Sequence, residues 1–315
     1  MTLFVRKVKM TATEALLIVI LAGVNRGICS TPPAGIRLLF YAEWDSVSMG
    51  TALNNPSGIS AGPDGSVYIA DTGNNRVVKL SPGGKFVRDQ GGFGWEEKEF
   101  DSPVCVCAVN GLDVFVSDYY NNRIQRFDKD LNYIATLSSA ADTDEGMHFG
   151  FPRGLDLSSQ GELFCVDGEN KRVIKFDVAG RPLLEFGGFS AGDGRLSSPW
   201  HILVSSRNHV LVSDEDMTGI RVFDIHGNFI CILGDTFLAG PAGLAQTKEG
   251  AIAVIGRQSK TLALISPDYA ERKIAALSEY TDHASCDPVD IACRGNRLFI
   301  LDSGRSVVYV FTYTR

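Results

Sequence analysis

The chain has 315 residues, of which 44% are hydrophobic, ample for a buried core, and 33 glycines, enough for many tight turns. Its 30 Lys and Arg against 37 Asp and Glu give a formal net charge of −7 at pH 7. Binding to a phosphate backbone depends on neutralisation by Lys and Arg, so this balance argues against a nucleic-acid partner.

The N-terminus carries Arg6, Lys7 and Lys9, then the apolar run Ala15–Val24, then small residues through Ser30. This pattern predicts a secretory signal peptide over residues 1–30 and a secreted or periplasmic location. The apolar run is about ten residues, short of the ~20 that a membrane span needs. The membrane enters only if the segment stays uncleaved as an anchor. Cys29 does not suit lipoprotein cleavage, because Ile28 stands where a small residue is wanted. Without residues 1–30 the chain keeps 26 basic and 36 acidic residues, a net charge of −10.

Residues 31–315 read as one domain. The run Ile36–Trp44 is strand-like. The first full unit then opens at Pro56: "SGISA", the turn Pro63-Asp64-Gly65, "SVYIA", the turn Asp71–Asn75, "RVVKL", the turn Ser81–Gly84, and "KFVRDQ". Four short strands separated by turn chemistry make one unit. Later units open at Pro103, Pro152, Pro199, Pro241 and Pro288, which are 47, 49, 47, 42 and 47 residues apart in succession. An aspartate follows 15 residues after the proline in four units, as Asp71, Asp118, Asp167 and Asp214. Gly256 takes that place in the fifth unit, and Asp302 comes one residue early in the sixth. Arg76, Arg123 and Arg172 each stand five residues beyond the aspartate. Four antiparallel strands in a repeat of this length predict the blades of a β-propeller.

Pro-x-Gly-Ile followed by Tyr-Ile-Ala-Asp-x-x-Asn-Asn-Arg-Val resembles the NHL repeat. The motif is sharp in the first three units, weaker in the fourth ("VSDEDMTGIRVFD"), degenerate in the fifth and partial in the sixth. The resemblance spans roughly residues 36–315 and implies an all-β, six-bladed propeller of four-stranded antiparallel blades. The sixth unit ends at "SVVYVFTYTR" and supplies three strands, so Ile36–Trp44 is expected to complete that blade and close the ring, removing exposed edges.

Strand order also sorts the loops. With strands a to d running outward from the axis, the b–c turn shares a rim with the connection from d into the next a. One rim therefore collects Arg76, Tyr119, Tyr120, Arg123, Arg153, Arg172, Trp200, His201, Glu215, Asp216 and Arg257. The other collects plain turns such as "PDGS", "SPGG", "SSQG" and "DIHG". Strand a lines the channel, where the second residue after each proline is Gly58, Cys105, Gly154, His201, Gly243 or Asp290. Glycine suits a crowded axis. His201 and Asp290 break that rule, and ionisable groups near a channel mouth are candidates for function. The candidate binding residues are thus Tyr119, Tyr120, Arg123, Arg153, Trp200, His201 and Asp290. The loops before units two to four add aromatics, including Phe93, Trp95, Phe149, Phe151 and Phe189.

The repeat aspartates read as structural, since Asp at the head of a turn accepts backbone N–H groups. Their arginines can bond carbonyls or a nearby carboxylate. Asn74-Asn75 and Asn121-Asn122 suit turn positions with unusual backbone angles. Cys105 and Cys107 point to one side of a strand, with Cα atoms about 6.6 Å apart, near the limit for a disulfide. Cys165 reads as a small buried side chain. Cys286 and Cys293 are the pair best placed for a bridge, with free buried thiols as the alternative. The loop "AADTDEGMHFG" holds Asp142, Asp144, Glu145 and His148, but lacks the glycine and closing Glu of a calcium loop; it reads as a solvated acidic loop.

These features point to a non-enzymatic secreted or envelope propeller that binds a protein, peptide or glycan through its loop-rich rim. The alternative is a metal-dependent enzyme with its site at the channel mouth, since propellers resembling this one include a peptide-amidating lyase and calcium-dependent lactonases. No cofactor is predicted, with Ca or Zn as the ions such an enzyme would need. Of five histidines (His148, His201, His209, His226, His283), only His201 falls on a channel position, and no nucleophile elbow is present.

Overall fold

The computed structural model describes residues 37–138, 148–280 and 286–314. The signal segment and the acidic residues Asp142, Asp144 and Glu145 lie outside this range.

After β1 (Arg37–Trp44), blade 1 is β2 (Gly58–Ala61), β3 (Val67–Asp71), β4 (Arg76–Leu80) and β5 (Phe86–Gly91). Blade 2 is β6 (Pro103–Cys107), β7 (Asp113–Asp118), β8 (Arg123–Asp128) and β9 (Tyr133–Ser138). Blade 3 is β10 (Pro152–Leu157), β11 (Leu163–Asp167), β12 (Arg172–Phe176) and β13 (Pro182–Phe186). Blade 4 is β14 (Pro199–Val204), β15 (His209–Asp214), β16 (Ile220–Asp224) and β17 (Phe229–Leu233). Blade 5 is β18 (Pro241–Gln246), β19 (Ile252–Gly256), β20 (Thr261–Ile265) and β21 (Arg272–Ala276). Blade 6 takes β22 (Pro288–Arg294), β23 (Arg297–Asp302) and β24 (Val307–Thr314), with β1 as its outer strand.

The expected closure is therefore present. β1 pairs antiparallel with β24 from Arg37 opposite Thr314 to Trp44 opposite Val308, with a bulge between Phe40 and Ala42. Blades stack through their faces. Side chains alternate along each strand, so Ile69 packs into a core shared with blade 6, while its neighbours Tyr68 and Ala70 pack into one shared with blade 2. Four further clusters fill the remaining blade-to-blade interfaces. This explains why the middle strands are buried along their whole length rather than on alternate residues.

The repeat aspartates staple each blade to the loop that leads into it. Asp71, Asp118, Asp167 and Asp214 are fully buried. Each accepts a backbone N–H from 17 residues upstream: Asn54, Asp101, Gly150 and Ser197. The arginine five residues on bonds the same carboxylate at 2.8, 2.7 and 2.9 Å in blades 1 to 3. Asn75 and Asn122 adopt left-handed backbone angles, with φ of 51°. Their side chains accept the N–H of Ser102 and Phe151 and so tie each turn to the following blade.

The Cys286–Cys293 bridge does not form. Cys293 is a free thiol within β22, and the extended chain between the two carries them roughly 20 Å apart. Cys105 and Cys107 are also free, packed side by side in the core between blades 2 and 3, and Cys165 is fully buried as expected.

Candidate functional site

At the axis, glycines alternate with larger residues. A Cβ on Gly58 would lie 2.8 Å from the Val104 carbonyl oxygen and 2.9 Å from the Cys105 Cα. On Gly154 it would lie 2.9 Å from the His201 Cα, and on Gly243 2.5 Å from the Asp290 Cα. Three blades must therefore give way with glycine, and Cys105, His201 and Asp290 from the other three fill the space.

His201 and Asp290 meet there, with Nδ1 3.5 Å from Oδ1. Asp290 also accepts the N–H groups of Ile59 at 2.8 Å and Ile291 at 2.7 Å. Burial pushes the Asp290 carboxyl up to about 8 against the pull of those two donors. Burial, helped by Arg257, pushes His201 down to about 4. His201 Nε2 is buried without a partner. The pair faces a cavity of about 740 Å³ that opens between the turns Asn110–Leu112, Ser158–Gly161 and Ser205–Ser206. Those turns belong to the rim opposite the opening prolines. The sequence placed His201 with the proline-side rim and treated the other rim as plain. The difference follows from strand length: the Pro+2 positions lie close to the proline end, so most of each inner strand lines the channel beyond them.

A second buried acid lines the same cavity and was missed. Asp156 accepts Val204 N–H at 2.7 Å and Leu157 N–H at 2.9 Å, and burial pushes it up to about 6.

The proline-side rim carries an aromatic and arginine cluster. Tyr119 and Tyr120 stack edge to face at 4.9 Å, and Phe151 packs on Tyr119 at 5.1 Å. The Arg153 guanidinium lies 4.5 Å from the Trp200 ring centroid and 6.0 Å from that of Tyr119. Arg153 donates to the Pro199 carbonyl, and its Nε is buried without a partner. Nearby loops present Trp95 and Phe93, and Phe189 lies under Arg195. These side chains, with Tyr120, are 58–83% exposed.

Arg123 stands apart from this cluster. Its guanidinium donates to Asp118 and to the carbonyls of Trp95, Glu96 and Glu99, so it braces the loop before blade 2. Arg76 braces blade 1 through Asp71, Asp89 and the Ala52 carbonyl, and Arg172 is held by Asp167 and Glu185. Arg257 forms a two-pronged pair with Asp287. Among the described residues, no three His, Cys, Asp or Glu side chains converge closely enough to hold a metal ion. The His201–Asp290 pair alone does not fit a protein-held Ca or Zn.

The NHL repeat family model matches residues 53–80 and 100–127. Among curated proteins, the chain is 29% identical over 152 residues to the Caenorhabditis elegans protein named "Probable peptidyl-alpha-hydroxyglycine alpha-amidating lyase", covering 45% of this chain and 39% of that one. It is 30% identical over 144 residues to the human E3 ubiquitin-protein ligase NHLRC1, covering 45% and 35%. The chain thus spans well under half the length of these relatives. Among solved structures, virginiamycin B lyase from Staphylococcus aureus superposes with a TM-score of 0.60 at 14% identity, over 88% of this chain and 99% of that chain. A Bacteroides thetaiotaomicron protein of unknown function superposes with a TM-score of 0.64 at 13% identity, over 89% and 76%. At such identities the likeness is one of fold.

Proposed function

The chain is an NHL-repeat six-bladed β-propeller, and on that premise we propose that it is a non-enzymatic binding module that takes a protein or peptide on its proline-side rim. The observation that carries this reading is the cluster of Tyr119, Tyr120, Phe151, Arg153 and Trp200, flanked by exposed Trp95 and Phe189. Aromatic and arginine side chains dominate the energetics of protein interfaces. Tyr120, Trp95 and Phe189 present large rigid faces to solvent, while Arg153 sits pre-stacked on Trp200. A glycan would use the same rings as stacking platforms, with less use for the guanidinium. Fold and repeat serve equally well in a ubiquitin ligase and in a lyase, so neither relative's activity is carried over. The basic and apolar N-terminal run supports the proposal that the module acts outside the cytoplasm.

The test is selection of peptides from a random display library on the immobilised chain. Selected peptides should lose about tenfold in affinity, ~1.4 kcal/mol, with Tyr120→Ala or Trp200→Ala. Leu112→Ala, on an exposed turn of the opposite rim, should leave them unchanged. Peptides that respond to Leu112 and ignore the rim aromatics would sink the reading.

A further inference from the structure

The cavity beyond the axis is unlike the rim, and it carries a charge problem of its own. Two carboxyls, Asp156 and Asp290, line it at 7% and 4% exposure, and no Lys or Arg among the described residues pairs with either. Arg294, which lines the cavity, and Arg257, which acts electrostatically on His201, are engaged elsewhere. Arg294 at the mouth donates to the Pro63 carbonyl, and Arg257 on the far side is held by Asp287 and Glu215. His201 is 5% exposed, lines the same space, and leaves Nε2 without a partner. The walls between mix apolar residues such as Leu203, Ala245 and Ala292 with polar ones such as Ser60, Gln160 and Gln246.

We propose that this cavity is a binding site for a small linear amine, whose ammonium group sits beside Asp290 and His201 at the floor and whose alkyl chain lies along the inner strands. An ammonium gives the ionised carboxyl a counter-charge in place of the proton that burial otherwise makes it keep, and it offers three N–H donors. Neutral His201 can accept one of them through Nε2 when Nδ1–H faces Asp290. Burying an acid without a cation costs the fold stability, and a cationic ligand offsets that cost. The volume of about 740 Å³ falls in the range of small-molecule sites. The two carboxyls favour a diamine over a monoamine.

The test is calorimetric titration of the full chain with putrescine, and with 1,4-butanediol as its uncharged shape match. Putrescine should bind at one site per chain, and butanediol at least about tenfold more weakly. Asp290→Asn should weaken putrescine at least about tenfold. Ser206→Arg, on an exposed turn at the mouth, adds a repelling charge without touching the core, and should weaken it as well. Tyr120→Ala on the other rim should leave amine binding unchanged, which separates this site from the rim surface. Absence of saturable putrescine binding, equal affinity for the diol, or full affinity retained in Ser206→Arg would overturn the proposal.

Discussion

Asp118 illustrates what one residue does in this fold. Its carboxylate receives the Asp101 N–H, the Asn121 amide and the Arg123 guanidinium in a site with no exposure. Asp118→Ala would leave the Arg123 Nε–H and a loop N–H without their acceptor and the guanidinium without its counter-charge, at a cost of about 3–5 kcal/mol, measurable by chemical denaturation. Burial raises both acids, but Asp290, unlike Asp118, has no guanidinium on its carboxyl. Its folded value of about 8 lies above the ordinary 3.8. From about pH 4 to pH 8 the folded chain therefore keeps a proton that the unfolded chain has released, and its stability falls as pH rises through that window. Asp290→Asn stays neutral at every pH but keeps one acceptor oxygen for the two N–H groups. Its melting point relative to the parent should be several degrees more favourable at pH 8 than at pH 4, as a calorimetric scan would read. The sequence makes the repeat aspartates legible because they recur in phase. It hides Asp156, which stands four residues after its proline where other units have Ser60, Cys107, Leu203, Ala245 and Ala292. The departure-from-repeat argument that singled out His201 and Asp290 would have found it two residues further along the same face.

At the scale of elements, the strand that completes blade 6 is decisive. β1 covers the edge of β24 and buries Trp44 against Phe299, with ring centroids 5.4 Å apart. A chain beginning at Asp45 would expose that edge, and an open edge is a template for association. Size-exclusion chromatography should show aggregates in place of a monomer. A monomer with an unchanged melt would show that closure by β1 is dispensable. The same Trp44 ring occupies the space above Gly84, whose φ is +78°. Gly84→Ala would meet both the ring and an unfavourable backbone angle, and should destabilise by about 1–3 kcal/mol. Closure was legible because "SVVYVFTYTR" ends one strand short and Ile36–Trp44 matches a fourth strand. The fate of Cys286 and Cys293 was not, because seven positions in sequence say nothing of distance until β22 is known to be extended between them.

For the molecule as a whole, six blade interfaces close a ring with two unlike openings. The proline-side opening is bordered by aromatics and arginines, and the opposite one leads to buried acids. The sequence sorted the loops onto the right rims, since antiparallel order alone dictates that. It left open where the channel is roomy, which depends on how far each inner strand runs past its constriction. Six hydrophobic clusters, one at each blade interface, hold the ring together. Dialysis against a chelator should leave the thermal midpoint unchanged, and a drop of several degrees would point to a bound metal.

Hydrogen–deuterium exchange with and without a peptide selected on the immobilised chain tests the rim assignment most directly. Protection is predicted at residues 92–101, 119–122, 151–153 and 187–200, the loops that carry the aromatic and arginine cluster. Protection confined to residues 108–112, 158–162 and 205–208 would place the partner on the opposite rim and contradict the account.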